Sequence, residues 1–228
     1  NAIRDAYATL QKRAAVEIPD PGKSWDLLKA FEFIVSQGHK DSRVLDMGTR
    51  NCRLLELLAG NGFRRLYGCD VAPLEWRRLI RQHRLSGQPL DLLKGIFGFG
   101  PIKISRQDLQ KTDFPDGTFD FIASLSVIEH GIDLRAYFKE SARLLVPGGY
   151  LITSCDYWPE KIDTSGITLF DTRWEIFSKD EVEGMARISP EYGLQLCEPI
   201  DYTHGAPAVD SNGKQYTFLF FVMQKLGR

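Results

Sequence analysis

The sequence predicts an α/β protein with a Rossmann-like, doubly wound sheet, and three stretches carry that expectation. Arg43-Val-Leu-Asp-Met-Gly-Thr-Arg-Asn-Cys52, followed by Arg53-Leu-Leu-Glu-Leu-Leu-Ala59, reads as strand, turn and helix. Val44 and Leu45 are β-formers, Gly48 permits a tight turn, and Asn51 is a good N-cap ahead of a leucine-rich helical pattern. Arg65-Leu-Tyr-Gly-Cys-Asp70 reads as a second short strand ending in a carboxylate, 24 residues beyond Asp46. Phe119 to Val127 is apolar almost throughout, as a central strand covered on both faces should be.

In chain order, Ala2 to Val16 place apolar residues at helical spacing until Pro19-Asp-Pro-Gly22 stops the pattern. Ser24 can cap a second helix from Trp25 to about Gln37, with Gly38 as its stop. After Asp70 a helix from near Leu74, running through Arg77, Arg78, Arg81, His83 and Arg84, should return the chain to the sheet by a right-handed crossover. That basic cluster reads as a solvated face. Gly95-Ile-Phe-Gly-Phe-Gly-Pro101 has aromatics between its glycines and no P-loop lysine with serine or threonine, so it reads as an apolar loop or lid.

Ile102 to Leu109 reads as the third strand and the turn after it, and Phe114-Pro-Asp-Gly-Thr118 as a turn before the fourth strand. Asp133 is a natural N-cap for a helix from Leu134 to Leu145, which Pro147-Gly148-Gly149 should end, and Tyr150 to Cys155 follows as the fifth strand. The stretch Tyr157 to Trp174 is aromatic and poorly periodic. Ser178 then caps a helix Lys179 to Ile188, and Leu194 to Ile200 and Tyr216 to Gln224 supply two more strands. With 228 residues, one well-cored domain is expected, comprising a helical cap at 1–38, a core at 40–155, and a last segment with the final strands at 156–228.

The 29 basic and 30 acidic residues almost cancel, which argues against a strong electrostatic demand for nucleic acid as substrate. Cys52, Cys69, Cys155 and Cys197 lack C-x-x-C spacing, so neither a zinc site nor a dithiol redox pair is suggested. Buried free thiols suit a reducing cytoplasm. No apolar run approaches the roughly 20 residues of a membrane span, and the start lacks the pattern of a signal peptide. A soluble, cytoplasmic protein is the expectation.

A helix N-terminus at the carboxyl end of a parallel strand offers free backbone N–H groups, and ligands of open α/β sheets bind in that crevice. Arg50 and Cys52 stand where a dinucleotide fingerprint has glycine, so a ligand without pyrophosphate is favoured. A carboxylate at the second strand tip is placed to accept both hydroxyls of a ribose.

The pairing of Asp46-Met47-Gly48 with Asp70 resembles motifs one and two of the class I S-adenosylmethionine-dependent methyltransferases. Phe119-Asp-Phe-Ile-Ala-Ser-Leu-Ser-Val-Ile-Glu-His130 and Arg143-Leu-Leu-Val-Pro-Gly-Gly-Tyr-Leu-Ile-Thr153 resemble that family more closely still, and together the matches cover residues 40 to 155. The resemblance implies a seven-stranded sheet with an antiparallel C-terminal hairpin, and S-adenosylmethionine as cofactor. It assigns Asp46 to the loop and the cofactor's amino group, Gly48 to close backbone approach, Asp70 to the ribose, Asp108 to the adenine amino group and Leu109 to the ring. Met47, Thr49, Val71, Ser124 and Leu125 complete the implied cofactor-binding set.

The implied activity is methyl transfer to the O or N of a small-molecule acceptor: a metabolite, sugar or secondary-metabolite intermediate. Tyr157, Trp158 and Trp174, with Phe170, could line its pocket or could cover the sheet edge. Glu129-His130 resembles the end of the E-x-x-E-H metal motif of some quinone-biosynthesis and RNA 2′-O-methyltransferases, but the first acid is Ser126 here, so no metal is expected. His130 is either a general base, its unperturbed pKa of about 6.5 suiting neutral pH, or a residue that caps or packs beside the next helix. Two other readings compete: a non-catalytic domain that keeps the fold and serves as a binding partner, and a nucleotide-dependent oxidoreductase.

Overall fold

A computed structural model describes residues 2–13, 22, 24–50, 52–71 and 101–227. Asn51, the helix expected from Leu74 through the arginine cluster, the glycine loop up to Gly100, and most of the Pro19–Gly22 stop lie outside the described residues.

Apolar residues at helical spacing fold Ala2–Arg13 into α1 and Ser24–Gln37 into α2. Strand β1 (Arg43–Met47), helix α3 (Arg53–Gly60) and strand β2 (Arg65–Asp70) form the first crossover unit. The strands β3 (Ile102–Arg106) and β4 (Phe119–Leu125), helix α4 (Leu134–Leu144) and strand β5 (Leu145–Tyr157) complete the parallel half. A two-rung hairpin of β6 (Thr168–Leu169) and β7 (Thr172–Arg173) precedes α5 (Lys179–Ile188), then β8 (Leu194–Leu196), β9 (Val209–Ser211) and β10 (Lys214–Lys225).

Among the described residues the main sheet runs β3-β2-β1-β4-β5-β10-β8, with β9 on β10 as an eighth strand. The first five strands are parallel, and β10 is antiparallel to both β5 and β8. Seven of these strands are the expected set. The eighth comes from a hairpin turn at Asn212-Gly213, where φ of 51° and 70° match the twist of the flanking strands. On one face α1, α2 and α3 bury Leu10, Ile34, Leu54 and Leu58 with Val44, Leu66 and Ile152. On the other, α4 and α5 bury Tyr137, Phe138, Val182 and Met185 with Leu45, Ile122 and Leu219. No helix among the described residues is long and apolar enough to cross a membrane.

Of the predicted side-chain caps, those at Asp133 and Ser178 form, whereas Ser24 is already the first residue of α2. Asp133 accepts from Arg135 N at 2.8 Å and Ala136 N at 3.1 Å, and Ser178 makes a reciprocal capping box with Glu181. Several boundaries differ from expectation: β8 ends at Leu196 rather than Ile200, and β5 runs from Leu145 to Tyr157 rather than from Tyr150 to Cys155. Cys52 holds the N-cap position of α3 in a left-handed conformation with φ 54° and no side-chain cap bond. Strand β4 stops at Leu125, because Ser126 turns the chain with φ 52°. Pro147-Gly148-Gly149 does not end α4, which already stops at Leu144; it lies inside β5, near a register shift between Phe119 and Phe121. A proline without an N–H is tolerated at such an irregularity.

The connection from β3 to β4 contains no helix and is held instead by polar contacts from α4. Glu140 accepts from Thr112 N and Oγ1, both at 2.7 Å, and from Arg143 Nη2 at 2.6 Å. Arg143 also donates to Asp116 at 2.6 Å and to the Phe114 carbonyl at 2.8 Å. Burial pushes the Glu140 carboxyl up, but hydrogen bonds from Arg143 and Thr112 outweigh it and hold the group below its usual value.

Helix α2 is tied to the carboxyl ends of β4 and β5 by a buried carboxylate. Asp26 Oδ2 accepts from Ser154 Oγ at 2.7 Å and Ser126 Oγ at 3.3 Å, while Oδ1 accepts from Leu27 N at 2.8 Å. Removing a charged acceptor from two hydroxyls in this setting should cost about 1–3 kcal/mol. Asp26→Ala is therefore expected to lower the urea midpoint by a corresponding amount, with Asp26→Asn intermediate. A midpoint equal to the parent's would show that this clamp contributes nothing to stability.

Candidate active site

The carboxyl ends of β1, β2 and β4 meet at one crevice. The turn after β1 is pinned sideways to β2, because Gly48 N and Thr49 N both donate to the Cys69 carbonyl, at 2.8 and 3.2 Å. Gly48 has φ 76°, and a β-carbon there would lie 2.5 Å from Val127 Cγ2 in the segment after β4. On the β2 side, a β-carbon at Gly68 would lie 2.8 Å from Thr49 Cγ2. The turn is wedged between its neighbours, and only glycine fits at each of these contacts.

Four predicted positions come together around that turn. Asp46 is buried and accepts from Thr49 Oγ1 at 2.8 Å. Burial raises its carboxyl to about 7, with the Thr49 hydroxyl pulling it down and the Asp70 charge pushing it up. Asp70, partly exposed at the tip of β2, accepts from Arg50 N at 3.2 Å. Beside it Val71 leaves 55% of its surface exposed.

The remaining cofactor candidates are reached unequally. Asp108 is exposed, and its Oδ1 caps the turn by accepting from Gln110 N at 2.9 Å. Leu125 is partly exposed, whereas Met47, Leu109 and Ser124 are buried. Met47 and Leu109 belong to the core that packs on α4 and α5, so they offer packing more than ligand contact.

Past β4, Glu129 is fully buried and its carbonyl accepts from Glu175 N at 2.9 Å. The His130 ring meets Phe170 edge-on, with centroids 5.0 Å apart. Phe170 sits at the tip of the β6–β7 hairpin, 59% exposed. The Arg50 guanidinium lies 3.9 Å from the Phe170 ring centroid. Phe170 and Asp171 have φ of 56° and 61°, a conformation in which bulky side chains are strained. Three segments distant in sequence therefore converge at the crevice: the turn after β1, the segment after β4 and the hairpin tip.

The aromatic residues expected to line an acceptor pocket do not share one wall. Trp174 is fully buried, donates Nε1 to Asp156 Oδ2 at 2.9 Å, and packs in a cluster with Ile176, Tyr216 and Phe218. Tyr157 is 1% exposed and belongs to the opposite core layer. Alternation along β5 sends Asp156 and Tyr157 to opposite faces, which separates their partners. Trp158, half-buried, leans on His204 with ring centroids 5.1 Å apart. These three cover the sheet rather than enclosing an acceptor.

Sequence reasoning missed Asp26 and Val127, and it did not foresee the contact between Arg50 and Phe170. A carboxylate within the apolar run Trp25-Asp-Leu-Leu28 was the one available signal for Asp26. Among the described residues no three His, Cys, Asp or Glu side chains gather into a metal site. Burial drives the Cys52 and Cys69 thiols up to about 12, so both stay protonated.

The raised carboxyl of Asp46 has a consequence for stability. A folded-state value near 7, above the ordinary carboxylate value of 3.8, means that the folded chain binds more protons than the unfolded one, so stability falls as pH rises from about 4 to about 7. Asp46→Asn removes that slope. Measured by urea denaturation, the variant should gain about 2 kcal/mol on the parent between pH 5 and pH 7.5. A difference that does not change with pH would mean that Asp46 ionises like an ordinary surface carboxylate.

Residues 45–153 match the family described as a methyltransferase domain. An arsenite methyltransferase of Aquipseudomonas alcaligenes is 31% identical over 114 residues, covering 46% of this chain and 33% of that protein. A rice protein (Oryza sativa subsp. japonica) described as "Probable tocopherol O-methyltransferase, chloroplastic" is 29% identical over 168 residues, covering 72% of this chain and 40% of that protein. The chain thus spans well under half the length of either relative. The crystal structure of an S-adenosylmethionine-dependent methyltransferase from Mesorhizobium loti superposes with a TM-score of 0.58 at 14% identity, covering 89% of this chain and 97% of that one, a likeness of fold. Residues 45–153, just under half of the chain, thus match the methyltransferase domain family, and the described fold is like that of the Mesorhizobium loti S-adenosylmethionine-dependent methyltransferase.

Proposed function

We propose that the chain transfers a methyl group from S-adenosylmethionine to the O or N of a small-molecule acceptor. The observation that carries this reading is the turn at Gly48 with Asp70 beside it, inside the segment that matches a methyltransferase domain. Two relatives are named for arsenite and tocopherol, both small acceptors, which supports the acceptor class.

The donor set fits the cofactor. Asp70 is partly exposed and can accept from vicinal hydroxyls, exposed Val71 offers an apolar surface for a planar base, and Asp108 lies exposed beyond the neighbouring strand for an exocyclic amine. Asp70 and Asp108, with Asp46 buried beneath the turn, give an acidic setting suited to a ligand that carries an ammonium and a sulfonium. Arg50 and Cys52 are compatible with this: Cys52 is buried, and Arg50 is exposed, lying against Phe170.

When bound, the cofactor supplies an activated methyl group on sulfur. The chain's own residues hold the reactants in line and keep water out, which can provide much of the catalysis for such a displacement. Asp70 and the Gly48 turn orient the nucleoside end. Phe170, resting on Arg50 and His130, covers the acceptor side as part of a wider cover at 156–177. His130 takes the proton from the acceptor hydroxyl or amine as the new bond forms. Buried thiols suit a reducing, cytoplasmic setting.

Asp70→Ala should weaken binding of S-adenosylhomocysteine by about 1.5–3 kcal/mol, roughly 10- to 150-fold, as read by calorimetry. Unchanged affinity in the folded variant would remove Asp70 from the cofactor site. With labelled S-adenosylmethionine and a panel of small O- and N-nucleophiles, the parent should transfer label. Tight cofactor binding without transfer across the panel would favour a binding module instead.

For an acceptor identified in that panel, His130→Gln should lower kcat by about 10²-fold while S-adenosylhomocysteine binds as in the parent. Turnover within a few-fold of the parent would assign the ring to packing against Phe170.

A further inference from the structure

We propose that the amino ends of β1, β2 and β3 carry a second binding site, a basic cleft that takes linked phosphoryl groups, at the end of the sheet opposite the methyl-transfer crevice. Arg43, Arg64, Arg65, Tyr67, Pro101 and Lys103 line a cavity of about 260 Å³ there. Strand register puts four of them on one face: Arg43 is paired with Arg65, and Tyr67, two residues on, is paired with Lys103. From Arg43 to Met47, β1 separates this cleft from the crevice by roughly 13 Å.

The opening has a topological cause. Tyr67 shares its face with the core under α4, and a helix in the β3–β4 connection would extend that cover over β1 to β3. The connection has none, and among the described residues the rings of Phe114 and Phe119 pack against Tyr67, at 6.3 and 5.3 Å between centroids. Among the described residues, the amino end of the face stays open.

The charges there are only partly answered. Arg64 pairs with Asp41 at 2.6 Å, and the nearby Asp120 carboxylate accepts from the backbone N of Arg43 at 2.7 Å. Among the described residues, Arg43, Arg65 and Lys103 form no ion pair. The Arg43 Nη1 lies 3.5 Å from the Thr118 carbonyl, and the Lys103 ammonium lies 5.7 Å from the Tyr67 ring centroid.

The chain as a whole has a formal charge of −1, so three cations without an ion pair among the described residues, gathered around one concavity, do not follow from a basic composition. Two guanidinium forks, an ammonium and a phenol match the oxygens of a phosphoryl group, to which arginine binds in bidentate fashion. The volume of about 260 Å³ leaves room for more than one phosphoryl group.

The test titrates the full chain by calorimetry with inorganic pyrophosphate and, separately, with a ten-nucleotide single-stranded RNA. Binding of pyrophosphate that weakens at least about tenfold in Arg65→Gln/Lys103→Gln is expected, with S-adenosylhomocysteine affinity and thermal midpoint unchanged. Binding of the RNA alone, with the same loss, keeps the phosphoryl chemistry and makes a polymer its source. Binding of neither, or binding that the double variant leaves intact, overturns the site. Asp70→Ala should leave pyrophosphate affinity untouched, so failure of this cleft and failure of the methyltransferase reading are distinguishable.

Discussion

The turn after β1 has no room for a side chain at Gly48, where a β-carbon would sit 2.5 Å from Val127, and its Thr49 presses on Gly68 of β2, where a β-carbon would sit 2.8 Å away. Both contacts exist because β1 lies between β2 and β4 in the parallel sheet. Backbone bonds from Gly48 and Thr49 to Cys69 hold the turn in the same place. Through this wedge the positions of Asp46, Arg50 and Asp70 become mutually fixed. A larger residue at position 48 or 68 would displace the turn before it affected the core. The crevice is thus a product of close backbone approach as much as of charged groups.

Charge is handled differently at each level of the crevice. Asp46 lies beneath the turn with a carboxyl that burial raises to about 7, while Asp70 and Asp108 stand at the surface. A ligand carrying positive charge would favour the ionised form of Asp46, so binding and proton release are linked. Asp26 is buried as well but holds two serine hydroxyls, and it joins the N-terminal helices to the ends of β4 and β5. The helices that precede the first strand are thereby coupled to the segment that carries Val127, Glu129 and His130.

The absence of a helix between β3 and β4 affects both ends of the sheet. Glu140 and Arg143 of α4 hold the irregular connection in place, and Asp108 and Gln110 within it reach toward the crevice side, with Gln110 accepting from Asp133 N at 2.8 Å. At the amino end the same missing helix leaves Arg43, Arg65 and Lys103 around an open cleft. One economy in the chain therefore sets the geometry of two separate surfaces.

The sequence alone determined the strand–turn–helix units, the caps at Asp133 and Ser178, the Asp46–Gly48–Asp70 grouping and the parallel character of the core. These are local: turn chemistry, capping and hydrophobic period act over a few residues, and crossover handedness then leaves few arrangements for the strands. Boundaries that depend on neighbours were not legible. Cys52 takes the N-cap, Ser126 ends β4, and Pro147-Gly148-Gly149 joins β5 because packing and pairing override local preference at those points. Nor could the sequence show that Trp174 enters the core beside Asp156 while Phe170, four residues earlier, stays exposed against Arg50 and His130. Those outcomes join residues 18, 120 and 40 positions apart. Only tertiary structure decides them, because contacts between distant segments depend on where the sheet puts each strand end, and no local pattern encodes that.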